Sequence, residues 1–251
     1  MILKSIWKEK KLLKIICFDI SEITDEKFDF LYNQSTEERK IKSDKYRKKE
    51  DKIRCIVSGA LLEYALKELI SEKKAVLRNE KGNIFLDFDI LKNNKENFTK
   101  LLEIQKNKYG KPFLKNVSNF NFNISHSGIW VVIGFGSEKI GVDIEKISQN
   151  KTELHKKLAE RYFTPKEVEY IFENQKSFPQ RFAEIWTGKE AFFKYKGTGI
   201  INSINSIDIT ELKGNGLSGI TFEKEYFLST FSPKNIENIE IINFESLHQN
   251  N

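Results

Sequence analysis

The sequence predicts an α+β fold in two halves, and three observations carry that reading. After Lys52, apolar residues recur at a 3.6-residue period, at Ile53, Ile56, Val57, Ala60, Leu61, Tyr64, Ala65 and Leu69, the mark of a long helix. A second long helix is expected over Pro179–Lys196, ending near Gly197. Around these lie short apolar stretches bounded by glycine turns, as strands require. Strands and at least one long helix fall in each half, with a boundary expected near Lys115–Asn119. No internal repeat of solenoid type is visible.

In chain order, Lys14–Ile20 reads as a strand. Thr36–Asp51 is a strongly charged helical stretch that continues into the helix beyond Lys52. Lys81-Gly82-Asn83 is a turn before a short strand, Ile84–Phe88. Leu91–Asn107, rich in Lys and Asn, is compatible with either helix or loop. Tyr109-Gly110-Lys111-Pro112 is a turn and Phe120–Ser125 a strand. Trp130–Phe135 and Ile140–Glu145 are expected to form a hairpin closed through Gly136–Lys139. Thr152–Tyr162 is helical. Thr164, an N-cap followed by Pro165 and then Glu167, opens a further helix. Strand-like pieces run from Ile201, then a polar tail, His248–Asn251.

The bulk composition narrows the class. With 39% hydrophobic residues and twenty Phe in 251 residues, the chain can bury a substantial core. Lys and Arg outnumber Asp and Glu by 42 to 36, giving +6, which favours nucleic acid, phosphorylated metabolites or an acidic protein as partner. Cys17 and Cys55 lie in apolar stretches without Cys-x-x-Cys spacing, so buried reduced thiols and a cytoplasmic location are expected. Met1–Phe18 mixes charges among short apolar runs, unlike a signal peptide. No apolar run approaches the ~20 residues of a membrane span, so a soluble protein is expected. Walker-type loops, G-x-S-x-G elbows and H-E-x-x-H motifs are absent from the sequence.

Four groups of residues could carry chemistry. In Gly141-Val142-Asp143-Ile144-Glu145, strand alternation puts Asp143 and Glu145 on one face, roughly 6.5–7 Å apart at the backbone. Paired carboxylates repel unless a positive charge sits between them, and Mg²⁺ is one such charge; two solvated acids on a half-exposed strand are the plain alternative. On the second long helix, Trp186, Glu190 and Lys194 share a face. That is either a surface Glu-Lys pair beside a core tryptophan, or a third metal carboxylate with a phosphate-binding or proton-donating lysine. Asn123-Ile124-Ser125-His126-Ser127-Gly128 places a histidine at a strand end, suited to a ligand phosphate or to a structural role. Finally, Arg39, Lys42, Lys45, Arg47, Lys48, Lys49, Lys52, Arg54 and Lys111 form a basic set, a solvated face of which a subset could clamp a phosphate.

In this order, five segments resemble the surfactin-type (Sfp-type) 4′-phosphopantetheinyl transferases. They are Tyr46-Arg47-Lys48-Lys49-Glu50-Asp51 leading to Arg54; Tyr109-Gly110-Lys111-Pro112; Phe122 to Gly128; Gly141 to Lys146; and Trp186 to Lys194. The resemblance spans Ser35 to Gly199, with the Lys-rich Met1–Lys11 outside it. It implies two similar α+β halves related by a pseudo-twofold, a monomer, and coenzyme A bound between the halves. Residues 1–118 would contribute nucleotide and 3′-phosphate contacts, and 119–251 the Mg²⁺ site. It further implies Asp143, Glu145 and Glu190 as Mg²⁺ ligands, Glu190, Glu145 or a metal-bound water as the base, and Lys194 at the reacting phosphates. Ser125 and His126 would contact the coenzyme's phosphates, Lys111 its nucleotide, and Arg39, Lys42 and Arg54 its 3′-phosphate. Arg39 stands where the family commonly has lysine, and Thr187 where serine is frequent. The implied activity moves phosphopantetheine from coenzyme A to a serine of an acidic acyl or peptidyl carrier protein.

Two other readings compete. A nucleic-acid-binding protein would account for the basic stretch Lys40–Lys52 but not for the three acids. A non-catalytic member that binds coenzyme A or a carrier would have no need of all three acids and Lys194.

Overall fold

The first strand, β1 (Leu13–Asp19), is apolar almost throughout because it lies between two cores. Leu13, Ile15 and Cys17 point to one and Ile16 and Phe18 to the other, all fully buried. A strand covered on both faces loses polar alternation and reads as a continuous apolar run.

The structure is a computed structural model describing residues 13–71, 76–79, 82–84, 103–115, 117–199, 204–234, 236 and 238–249. After β1 come α1 (Asp25–Gln34), α2 (Glu37–Asp44), α3 (Lys49–Ser71), β2 (Val76–Asn79), β3 (Gly82–Ile84), β4 (Ile104–Lys106), β5 (Pro112–Leu114) and β6 (Val117–Ser118). Next are β7 (Asn121–Ser127), β8 (Trp130–Gly136), β9 (Gly141–Lys146), α4 (Thr152–Tyr162), α5 (Pro165–Phe172) and α6 (Phe178–Lys196). The chain continues with β10 (Leu217–Phe222), β11 (Tyr226–Phe231), β12 (Asn238–Ile242) and α7 (Phe244–Gln249). The expected α+β class holds.

Two sheets organise the molecule. One has the order β12-β1-β8-β7, with β12 parallel to β1 and the other neighbours antiparallel; the other is antiparallel, in the order β10-β11-β9. Ile16, Phe18, Val131, Ile133 and Phe135 on the outer face of the first sheet pack on Ile53, Ile56, Leu61, Leu66 and Leu69 of α3. Each such burial contributes about 1.5–3 kcal/mol, so the helix is held by its apolar stripe more than by intrinsic propensity. The inner face meets Val142, Ile144 and Leu228 of the second sheet. A third core joins Leu217 and Phe231 to Phe182, Ile185 and Ala191 of α6, with Ala159 of α4 and Ile171 of α5.

The structure corrects three expectations. The charged stretch before Lys52 and the helix beyond it are not continuous: α2 ends at Asp44, and Ser43, fully buried, donates its hydroxyl to Lys52 O across the corner. Trp130–Phe135 and Ile140–Glu145 do not form a hairpin. β8 is paired on both edges, by β1 and β7, so β9 crosses to the second sheet and pairs β11. Phe244–Gln249 is helical, where strand-like pieces were expected to run on to a polar tail at His248. The first sheet takes strands from both sides of Lys115–Asn119. Met1–Lys11, Lys81, the expected strand beyond Ile84, the Leu91 stretch up to residue 102 and the last two residues lie outside the described residues.

Candidate active site

Helix α6 crosses β9 at very close range, and Gly141 makes that possible. A Cβ at this position would stand 1.9 Å from Ala191 O and 2.6 Å from Tyr195 N. Strand alternation then sends Val142 and Ile144 into the inner core and turns Asp143 and Glu145 to the opposite face. On α6, Trp186, Glu190 and Lys194 are half-buried at four-residue spacing, while Phe182, Ile185 and Phe193 are buried. Thr187 fixes the helix on β11 through a 2.6 Å hydroxyl contact with Ser229, so the serine-to-threonine departure keeps the bond.

Here the charges gather. Lys194 Nζ donates to Asp143 Oδ1 at 2.6 Å and to Ser125 Oγ at 3.1 Å. Ser125 Oγ donates to Asp143 Oδ1 at 2.7 Å, and Ser127 Oγ to Glu145 Oε2 at 2.9 Å. Burial, then the Asp143 charge, pushes the Glu145 carboxyl above its ordinary value. The same two causes, in that order, raise Glu190 to about 7, with Glu145 adding to the push and Lys194 opposing it. Three carboxyl groups therefore feel one another across the β9–α6 contact.

Among the described residues, no three acidic, histidine or cysteine side chains close into a ready-made metal cage, and Lys194 supplies the counter-charge on Asp143. The donor set nevertheless fits a hard cation. Asp143 is only 4% exposed, and its Oδ2 is buried with no hydrogen-bond partner. A buried carboxylate oxygen left unpaired is costly unless a cation or donor meets it. Oxygen donors from two elements are what Mg²⁺ takes.

The other expected residues divide. Arg54 reaches from α3 to the β7–β8 turn, donating to Gly128 O at 2.5 Å and to Asp51 Oδ1 at 2.5 Å. The turn needs Gly128, at φ +56° and under the Tyr226 hydroxyl, which a Cβ would meet at 2.3 Å. His126 borders this corner, its imidazole held below the ordinary value by partial desolvation first, then by Arg54 and Lys194. Lys111 Nζ donates to Lys194 O near the C-terminal end of α6. Arg39 is committed to the helix pair, donating to Cys55 O at 2.9 Å while its side chain lies over Gly59; Lys42 is exposed on α2. Within the basic stretch Lys49 pairs with Asp25 and Lys40 with Glu37.

Sequence reasoning missed two features. Lys189, fully buried on α6, pairs with Glu167 of α5 at 2.8 Å. The Thr164-Pro165-x-Glu167 capping box was visible, but nothing local shows that the glutamate also faces a lysine. The second feature is the pairing of Ser125 and Ser127 with the carboxylates, whose only signal was the alternation Asn123-x-Ser125-x-Ser127 opposite Asp143-x-Glu145.

Residues 139–240, which hold β9, α6 and all three acids, match the family model described as the 4′-phosphopantetheinyl transferase superfamily. Over 188 residues the chain is 28% identical to the 4′-phosphopantetheinyl transferase ffp of Bacillus subtilis, covering 74% of this chain and 71% of that protein. It is 43% identical over 105 residues to the 4′-phosphopantetheinyl transferase gsp of Aneurinibacillus migulanus, 41% of each chain. To the 4′-phosphopantetheinyl transferase Sfp of Bacillus subtilis strain 168 it is 35% identical over 102 residues, 40% of this chain and 44% of that one. The latter two alignments span less than half of the relatives' length. The superfamily match thus falls within the C-terminal half of the chain.

Proposed function

We propose that this chain, with the 4′-phosphopantetheinyl transferase domain in its C-terminal half, moves phosphopantetheine from coenzyme A to a serine hydroxyl of an acyl or peptidyl carrier protein. The products are the phosphopantetheinylated carrier and 3′,5′-ADP. One observation carries the reading: Asp143 and Glu145 of β9 and Glu190 of α6 share one electrostatic site, with a buried carboxylate oxygen unpaired.

Asp143, Glu145 and Glu190 would hold a Mg²⁺ ion, which when bound neutralises the diphosphate and favours departure of the nucleotide. Lys194, beside Asp143 and only partly buried, is placed to turn its ammonium to a phosphate oxygen and steady the charge that builds on the leaving group. Glu190 or Glu145 accepts the proton of the carrier serine as its oxygen forms the new bond to phosphorus. Arg54 and His126 hold the coenzyme's phosphates from the β7–β8 turn, Lys111 the nucleotide at the end of α6, and Arg39 and Lys42 add positive field along α2. The first 118 residues then serve mainly the nucleotide, the rest the chemistry. The net charge of +6 favours encounter with an acidic carrier domain. Among the described residues no helix is long and apolar enough to cross a membrane. Two buried, unpaired thiols support a cytoplasmic setting, and a monomer is what the family resemblance implies.

The test is intact-mass spectrometry of several apo-carriers incubated with the protein, coenzyme A and Mg²⁺. Gain of one phosphopantetheine on a carrier serine is expected. No gain on any carrier, with the protein folded, would overturn the reading.

A further inference from the structure

Three alternating side chains of β7 meet three alternating amides of β9. Val142 N donates to Asn123 Oδ1 at 2.8 Å, Ile144 N to Ser125 Oγ at 3.4 Å and Lys146 N to Ser127 Oγ at 3.1 Å. The two strands belong to different sheets. Side chains therefore do the work that a main-chain ladder would do along this edge of β9, and they do it beside both carboxylates.

A serine hydroxyl has one proton to give and two lone pairs that accept. Ser125 uses all three. It donates to Asp143 Oδ1 and accepts from Ile144 N and Lys194 Nζ, in a position only 6% exposed. Ser127 gives its proton to Glu145 Oε2 and accepts from Lys146 N. Neither hydroxyl keeps a proton for a phosphate oxygen, so the phosphate contact that the family resemblance implies for Ser125 has no donor here.

We propose that Ser125 and Ser127 are positioning residues, which fix the Asp143 and Glu145 carboxylates to the β7–β9 seam, and are not contacts to the coenzyme's phosphates. Ser125 and Lys194 tie down Oδ1 of Asp143 and so leave the buried Oδ2 as the oxygen presented to a cation. The inference rests on the reading of these acids as cation ligands. Coenzyme A contact at this corner then falls to His126 and Arg54, on the outer side of the same strand end.

The experiment separates the two roles in the full chain. Mn²⁺ binding is measured by electron paramagnetic resonance without nucleotide, and coenzyme A binding by calorimetry in a metal chelator. Loss of a side chain that orients a metal ligand typically weakens the metal by about tenfold or more. Ser125→Ala is therefore expected to weaken Mn²⁺ about tenfold and leave metal-free coenzyme A binding within about twofold. Ser125→Thr, which keeps a hydroxyl, restores Mn²⁺ binding, and His126→Ala shows the reverse pattern, losing coenzyme A alone. Should Ser125→Ala fail to fold, half-exposed Ser127→Ala supplies the same comparison through Glu145. The proposal is overturned if the serine variants lose metal-free coenzyme A binding, or if Mn²⁺ affinity is unchanged. A wild-type protein that binds neither Mn²⁺ nor coenzyme A would instead bring down the transferase reading itself, and a wild type that binds both leaves the serine result to stand alone.

Discussion

Helix α6 carries two lysines little more than a turn apart, each paired with a carboxylate from another element, and the two pairs are built to opposite ends. Lys189 and Glu167 are both 0% exposed. The three ammonium protons of Lys189 go to Glu167 Oε2 at 2.8 Å, Ile204 O at 2.7 Å and Ile207 O at 2.7 Å. Glu167 in turn takes Ile209 N on Oε1 and Thr164 N on Oε2, each at 2.8 Å. Nothing is left over. Lys194 and Asp143 form a pair of similar length, 2.6 Å, yet Lys194 is 27% exposed and Asp143 Oδ2 has no partner. A saturated pair fastens elements together; an unsaturated one, with like charges crowded beside it, holds binding capacity in reserve.

The largest effect should come from the unsaturated pair. Asp143→Ala is expected to lower phosphopantetheine transfer by at least about a thousandfold, about 4 kcal/mol of transition-state stabilisation. Its melting temperature should stay close to wild type, because Glu145 and Glu190 lose a repelling neighbour. Turnover near the wild-type rate at saturating Mg²⁺ would remove the distinction between the pairs.

Lys189→Met probes the other pair and should act on stability. Removing one partner leaves Glu167 charged and buried, a loss of about 3–5 kcal/mol by urea denaturation. The capping box of α5 and the amide of Ile209 depend on the same carboxylate. If the variant melts like wild type but has lost transfer, Lys189 belongs with the site after all. Gly141→Ala then tests whether the two pairs depend on the same close approach. With a methyl group driven against Ala191 O, β9 must move off α6, at about 1–3 kcal/mol of stability and with loss of transfer. Unchanged stability would mean that the strand can shift without consequence.

The contrast between the pairs extends to what was legible in the sequence. Asp143, Glu145, Glu190 and Lys194 stood out because each obeys a local period, two on a strand and four on a helix. The helix boundaries at Pro165 and Lys196 were readable for the same reason: caps are local chemistry. Partner choice is not. Gly136–Lys139 has the composition of a hairpin turn, and only the occupation of both edges of β8 sends β9 to another sheet. The break after Asp44 was hidden because Lys, Arg and Glu favour helix equally well on both sides, while Ser43 acts through a contact with Lys52. The hydrogen bonds of Ser125 and Ser127 to the carboxylates were not legible because their partners lie on a strand that pairs elsewhere.

The smallest expected effect concerns Lys111, which ends α6 as Lys194 begins its site: its ammonium donates to the carbonyl of Lys194. Cations are favoured at a helix C-terminus, yet burial, with Lys139 nearby, lowers Lys111 from 10.5 to about 8. Between those two values the unfolded chain holds a proton that the folded chain has released, so this group makes stability rise with pH in that window and adds no slope below it. One proton gives a slope of at most about 1.4 kcal/mol per pH unit. Cys17, whose thiol is pushed up to about 12 by burial, works in the opposite direction above 9.0 but equally in both proteins, so it cancels in a difference. Urea midpoints of wild type and Lys111→Met, measured from pH 7 to 10, should therefore diverge above about pH 8, with the wild type gaining on the variant. Parallel curves would mean that Lys111 keeps an ordinary, solvated ammonium, free to meet a nucleotide without first leaving the helix end.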